Sequence, residues 1–245
     1  MMPLYLNDVR LFVENNIGTF HAKRLEKLQK LKLKQVLKRK NPYLFRAKNV
    51  VTGQELVQGI LDAYLSSQEE TLFGQFIEEL AIFVAQKVYN GHKSTAEGID
   101  LEMQKDGNYY IVSIKSGPNW GNSSQIQRMK RNFTQAKRRL RQNSHLQNII
   151  AVNGCCYGQD NNPDKGEYLK LCGQRFWEFI SGNADLYLDI IEPLGHQAKE
   201  RDVVFQDEYR RIINLFTIDF MQEFSTDGRI DWEKLVEFNS AAKKK

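Results

Sequence analysis

The 245-residue sequence predicts an α/β (α+β) fold: a central mixed sheet flanked by helices, with helical additions at both ends. Three observations carry this. The middle of the chain alternates between the two periodicities, giving an apolar helix, two strands, a basic helix and a β-branched strand. Asp106-Gly107, set between two alternating runs, signals a tight hairpin because both turn positions need positive φ. The first 45 residues and the tail from Phe205 are rich in helix formers.

Taken in order, LNDVRLFVENN and FHAKRLEKLQKLKLKQVLKRK read as two helices, the second stopped by Pro42. Leu25, Leu28, Leu31, Leu33 and Val36 give it an imperfect apolar stripe. GQELVQGILDAYLSS reads as an amphipathic helix with Leu56, Ile60, Leu61 and Tyr64 inward. TLFGQFIEELAIFVAQKVYNG reads as another, with Phe73, Phe76, Ile77, Leu80, Phe83 and Val84 on one face and Gly91 at its end. Strands follow at IDLEMQ and YYIVSIK, then a basic helix over residues 124–142. NIIAVNGCCYG is a buried strand, GQDNNPDKGEY a loop, and GQRFWEFISG a short helix. The tail is helical over residues 205–224 and again in DWEKLVEFNSAA, and the terminal lysines 243–245 fray. These segments group as a helical, lysine-rich region over residues 1–70, an α/β core over 71–204, and C-terminal helices over 205–245 that pack on that core.

A hairpin centred on Asp106-Gly107 pairs Gln104 with Tyr109, Glu102 with Ile111, and Asp100 with Ser113. One face then collects Ile99, Leu101, Met103, Tyr110, Val112 and Ile114, and reads as core. The other collects Asp100, Glu102, Ser113 and Lys115, and a one-residue slip would bury these charges. Asp100 and Lys115 come within reach of each other across the strands. The bland meaning is a surface ion pair contributing about 0.5 kcal/mol. The sharper one is a site for a scissile phosphate. There Asp100 supplies a hard oxygen for Mg²⁺ and Lys115 meets the charge of the transition state.

Charge points the same way. Residues 23–48 hold eleven Lys or Arg, among them Lys38, Arg39 and Lys40, against the single acid Glu26. Residues 125–142 hold Arg128, Lys130, Arg131, Lys137, Arg138, Arg139 and Arg141 and no acid. With the whole chain at only +5, the remainder is net acidic. Two dense basic stretches on an acidic body fit a polyanionic partner, while the alternative is a pair of solvated helix faces.

The hairpin resembles the core of the PD-(D/E)xK nuclease superfamily, with Asp100 at the first acid and Lys115 at the lysine. Three further stretches extend the likeness. G-Q-F-I-E-E-L-A matches a helix on which many members place a Gly and, four residues later, a metal-site Glu, here Glu78. S-G-P-N-W-G-N after Lys115, with Gln125 near the start of the basic helix, resembles a branch of type II restriction endonucleases. GQRFWEFISGN and DGRIDWEKLVEFN are similar to late segments of enzymes that read degenerate GGNCC-type sites. The likeness spans residues 41–239, closest in these islands.

The resemblance implies a restriction-endonuclease-like core, Mg²⁺ as cofactor, and hydrolysis of double-stranded DNA at a short, near-palindromic site. It further implies a homodimer and a cognate DNA methyltransferase in a prokaryotic cytoplasm. Asp100, Glu78 and the Ile114 carbonyl become the metal ligands. Asn119, Trp120, Gln125, Arg128, Arg131, Lys137 and Arg138, with Lys38, Arg39 and Lys40 of the basic arm, become the DNA-facing residues. One position departs from the pattern. Where the family has its second acid, two residues before the lysine, this chain has Ser113. Some restriction enzymes with serine there recruit a Glu from elsewhere. Family spacing selects Glu78, the helical wheel gives Glu79 a case, and Glu102 shares the hairpin's polar face. Without a replacement acid, the resemblance implies weak metal affinity or an inactive site.

Other candidates fall away. His21, His92, His145 and His196 have no metal-site spacing, and His92 reads as a solvated loop residue. Three cysteines, two adjacent at 155 and 156, form no disulfide framework and suit a reducing cytoplasm. Asp160, Asn162 and Asp164 begin like a calcium loop, but Lys165 and Leu171 break it. No Gly-Lys-Ser/Thr phosphate loop, signal peptide or membrane-length apolar run is found. Trp177 and Trp232 sit in helical patterns as core residues. Two rival functions stay open, a structure-specific repair or recombination nuclease and a DNA-binding protein without catalysis.

Overall fold

The computed structural model describes residues 2–144 and 148–242, the side chains of 143 and 144 excepted; His145 and the terminal lysines 243–245 lie outside the described residues. In chain order the elements begin with α1 (Leu6–Gln29), α2 (Leu33–Leu37), α3 (Pro42–Ala47) and α4 (Gly53–Tyr89). Then come β1 (His92–Lys93), β2 (Leu101–Lys105), β3 (Asn108–Lys115), α5 (Ser123–Ser144), β4 (Ile149–Cys155) and β5 (Leu169–Cys172). The last are α6 (Gln174–Ser181), α7 (Leu186–Asp189), α8 (Ile191–Leu194), α9 (Ala198–Phe224), β6 (Ser225–Thr226), β7 (Arg229–Ile230) and α10 (Trp232–Ser240).

The chain divides into two compact units. One holds residues 1–18 and 73–196, the other 19–72 and 197–245. This partition cuts the chain differently from the three segments read along the sequence, because residues distant in the chain share a core. In the mainly helical unit, Leu28, Val36 and Leu37 cluster with Leu56, Ile60 and Leu61 and with Phe205, Ile212, Phe216, Phe220 and Phe224. Its small hairpin β6–β7 leads into α10, where Asp231 caps the helix by accepting from Lys234 N.

Helix boundaries correct the sequence in two places. The first two predicted helices are instead one long α1 followed by two short helices. Pro42 does not stop a helix; it opens α3 at the first turn, where a missing N–H costs nothing, behind Asn41, whose side chain accepts from Tyr43 N. Residues 53–89, read as two helices, form one. The intervening SSQEET contains no Gly or Pro to break it.

The other unit is built on a five-stranded sheet in the order β1-β2-β3-β4-β5, antiparallel from β1 to β3 and parallel from β3 to β5. The hairpin register is the expected one: Gln104 pairs with Tyr109 and Glu102 with Ile111. Asp106 and Gly107 both have positive φ, as their turn requires. α5 crosses over from β3 to β4 and buries Met129, Phe133 and Ala136 with Ile111, Ile149 and Ala151. The polar hairpin face is therefore covered, not open. Ile99 is also corrected: it packs with Ile111 and α5 rather than with Leu101. The sequence missed β1 and β5, which are too short to show a period. Among the described residues, no helix is long and apolar enough to cross a membrane.

Candidate active site

Asp100 immediately precedes β2, and its backbone N–H donates to the Val112 carbonyl at 2.8 Å. This extends the hairpin register to the carboxylate opposite Ser113. Asp100 Oδ2 accepts from Ile114 N at 2.6 Å and from Ser113 Oγ at 3.5 Å. Lys115 Nζ stands 3.7 Å from the same oxygen and donates to the Ile114 carbonyl at 2.7 Å. The two side chains are 21% and 30% exposed, so the pair is half-buried, not a loose surface contact.

Glu78 joins them from α4. Its side chain is 27% exposed and lies 3.7 Å from Lys93 Nζ on β1. Burial raises its carboxyl above the ordinary value, with Asp100's negative charge the next cause, and Lys93 and Lys115 oppose both. The Glu78 carboxyl is thus near enough to Asp100 and Lys115 for their charges to act on it. Gly74, one turn before Glu78, lies beside the end of β3: a Cβ on it would stand 3.9 Å from Ser116 Cβ, an ordinary contact. Ala81 and Ala85 continue this small, buried strip. On the wheel Glu78 lay opposite the bulky stripe; the strip of small residues is the signal that could have placed it.

The other two candidate acids are elsewhere. Glu79 is exposed. Glu102 is buried under α5's side of the sheet, accepting from Ser94 Oγ and from Tyr109 OH. Ser113 is 2% exposed, and its hydroxyl donates to Asp100 Oδ2.

The donors at the site are all oxygen: two carboxylates and the Ile114 carbonyl. That is the set a hard cation takes, and no group of three or more His, Cys, Asp or Glu gathers among the described residues. Mg²⁺ commonly uses one or two carboxylates and keeps several waters, so this set fits it. The Lys115 ammonium already occupies part of that oxygen cradle, against the Ile114 carbonyl.

The residues read as DNA-facing have varied placements. Asn119, Arg131 and Arg138 are exposed. Arg128 is exposed but 2.7 Å from Glu97, and Lys130 pairs with Glu167. Burial, then Arg141's charge, lowers the Lys137 ammonium below its ordinary value. Gln125 has a structural use: it and Asn122 each accept from the other's backbone N–H, a reciprocal cap for α5. Trp120 is half-buried, and its Nε1 donates to Asn153 Oδ1. In the helical unit, Lys38 lies over the Phe238 ring, Arg39 over Tyr64, and Lys40 Nζ donates to the Ala63 carbonyl.

The remaining motifs are structural. Cys155, Cys156 and Cys172 are free and buried, and burial pushes the Cys155 thiol up to about 12. Asp160, at the head of the calcium-like run, is neutralised by Lys165 and Lys170. Trp177 is buried and donates to the Cys156 carbonyl, and Trp232 is partly buried in the helical core. His92 is exposed on β1. A cavity of about 660 Å³ opens beyond Lys115, lined by Ser116, Cys156, Tyr157, Arg175 and Trp177 among others.

The family described as type II restriction endonuclease EcoO109I matches residues 7–202. Among curated proteins nothing matches the chain. The family match runs through the whole sheet, Asp100, Lys115 and Glu78 included. The chain belongs to the EcoO109I family of type II restriction endonucleases, PD-(D/E)xK-type nucleases that act on double-stranded DNA.

Proposed function

We propose that the chain is a Mg²⁺-dependent restriction endonuclease that hydrolyses both strands of duplex DNA at a short, near-palindromic site. The observation that carries this reading is the meeting of Asp100, Lys115 and the Ile114 carbonyl at one end of the β2–β3 hairpin, close enough to Glu78 for their charges to act on its carboxyl. Asp100, Glu78 and the Ile114 carbonyl would hold the cation, which supplies Lewis-acid polarisation of the phosphoryl oxygen and a more acidic water. Asp100 is kept in place by the Ile114 N–H and the Ser113 hydroxyl. Lys115 offers its ammonium to the charge that gathers on the scissile phosphate, in a half-buried setting where such a charge counts for more than in water. Glu78 fills the place of the acid that Ser113 lacks.

α5 would lie along the duplex with its apolar residues turned to the sheet and Arg131 and Arg138 outward. Two such chains about a two-fold axis would match a near-palindrome, which is the basis for proposing a homodimer. The basic segment 23–48 would supply an arm or dimer contact, and a methyltransferase in the same prokaryotic cytoplasm would protect the host's sites. Arg131→Ala and Arg138→Ala should each weaken binding about equally on all DNA sequences and reduce the salt slope by about one. Binding isotherms at several salt concentrations check this, and Arg128→Ala should do less because Arg128 is already paired with Glu97.

Ser113 favours a second reading, a DNA binder whose nuclease site is lost. A plasmid digest decides between them. Discrete fragments in Mg²⁺ and none in EDTA fit the restriction enzyme, and sequencing the ends gives the site. Smears fit a nuclease without sequence preference. Intact plasmid in both Mg²⁺ and Mn²⁺, over many DNAs, fits the binder.

A further inference from the structure

β4 is an apolar strand, yet it carries Asn153, which is 1% exposed. A buried amide is costly unless both its ends are bonded. Here both are. Asn153 Nδ2 donates to the Ser113 carbonyl at 3.2 Å, and Oδ1 accepts from Trp120 Nε1 at 3.1 Å. Ser113 is the register partner of Asn153 on β3, two residues before Lys115. Trp120 follows Lys115 by five residues, in the loop between β3 and α5.

That loop is pinned along its length. The Ser116 carbonyl accepts from Tyr157 N at 3.1 Å, and the Pro118 carbonyl from Lys170 Nζ at 3.0 Å. Gly117 lies so close to the Tyr157 ring that a Cβ there would stand 2.3 Å from it. The loop is thus tied to β4, β5 and the residues after β4. Trp120 packs half-buried against the cluster under α5, with its ring centroid 5.5 Å from Lys115 Nζ. A lysine on four flexible carbons would otherwise sample many positions. The π-face of an indole attracts an ammonium, and the Nε1 bond to Asn153 fixes where that face points.

We infer that Trp120, held through its indole N–H by Asn153, is a positioning residue that confines the Lys115 ammonium beside Asp100. The inference rests on the catalytic reading of Lys115 proposed above. It gives the tryptophan of the S-G-P-N-W-G-N segment a task other than stacking on DNA.

Two readouts on the full chain test it. In protein labelled with ¹³C-lysine, the Lys115 side-chain resonance is identified by its loss in Lys115→Arg. It should be shifted upfield by the Trp120 ring in the unmodified protein. Trp120→Leu should return it to the position of exposed lysines, and Trp120→Phe, which keeps a ring but not the bond, should leave it between. In single-turnover cleavage of plasmid DNA in Mg²⁺, Trp120→Leu should be about tenfold slower, while affinity for the same DNA in EDTA stays within about twofold. Should Trp120→Leu fail to fold, Trp120→Phe carries the test, with a partial shift and a smaller rate loss. An unshifted Lys115 in the unmodified protein would overturn the inference, as would an unchanged rate in Trp120→Leu. A rate loss matched by equal loss of DNA affinity would also overturn it and make the ring a DNA contact. Normal cutting by Lys115→Ala would instead bring down the catalytic reading, and the positioning role with it, even with the upfield shift in place.

Discussion

Lys115→Ala and Asp100→Ala should each reduce cleavage by about 100- to 1000-fold with little change in DNA affinity. The size follows from the setting. Lys115 is 3.7 Å from Asp100 in a half-buried notch, so its ammonium acts where water screens it weakly. Losing Asp100 removes one of two carboxylates and also strands the Ile114 N–H that it accepts from at 2.6 Å. Lys115→Arg should not restore the rate, because the guanidinium is longer and planar and cannot replace a compact ammonium against the Ile114 carbonyl. Single-turnover rates, with binding measured separately in EDTA, check both variants. Loss of binding in step with rate would make the pair a DNA contact and not a catalytic one.

The second large effect is at Glu78. Glu78→Gln should reduce cleavage by about 100-fold or more, whereas Glu79→Gln should leave it unchanged. Glu102→Gln should act mainly on stability, since Glu102 accepts from Ser94 and Tyr109 away from the hairpin's open end. Glu78→Gln should also change stability in a direction that a simple loss of contact does not predict. Burial and Asp100 raise this carboxyl above 4.5, so in the folded protein the charged form is the disfavoured one. The folded state holds the proton more tightly than the unfolded state, and stability falls as pH rises from about 4.5 through the raised value. In EDTA at neutral pH, Glu78→Gln removes that penalty and should raise Tm, a gain that vanishes below the ordinary carboxylate range. Thermal melts at both pH values check the sign.

The sheet and the site were legible in the sequence to different depths. The hairpin could be read because Asp106-Gly107 admits one tight turn, and that turn fixes every cross-strand pair, including the approach of Asp100 to Lys115. The family match over residues 7–202 agrees with the likeness drawn from those motifs. What could not be read depended on partners far along the chain. The polar hairpin face looked open because nothing local shows that α5 folds back over it. A wheel drawn on bulky residues turned Glu78 away from the core, although Ala81 and Ala85 on its side of α4 are fully buried. Asn153 lies in a segment read only as a buried strand, and the positions of Ser113 and Trp120 give its amide a purpose. Gln125 and Trp120, both read as DNA contacts, also have bonds within the fold that the sequence did not show: one caps α5 and the other is tied to Asn153.

In the proposed enzyme, Asp100 and Glu78 form one oxygen site for a divalent cation, with Lys115 at its edge. Mn²⁺ titration followed by electron paramagnetic resonance tests this without relying on cleavage. The unmodified chain and Glu79→Gln should bind Mn²⁺ alike, while Asp100→Asn and Glu78→Gln should each lose most of the bound ion. Equal Mn²⁺ binding by all four proteins would contradict the account, because the two carboxylates would then not be the ligands.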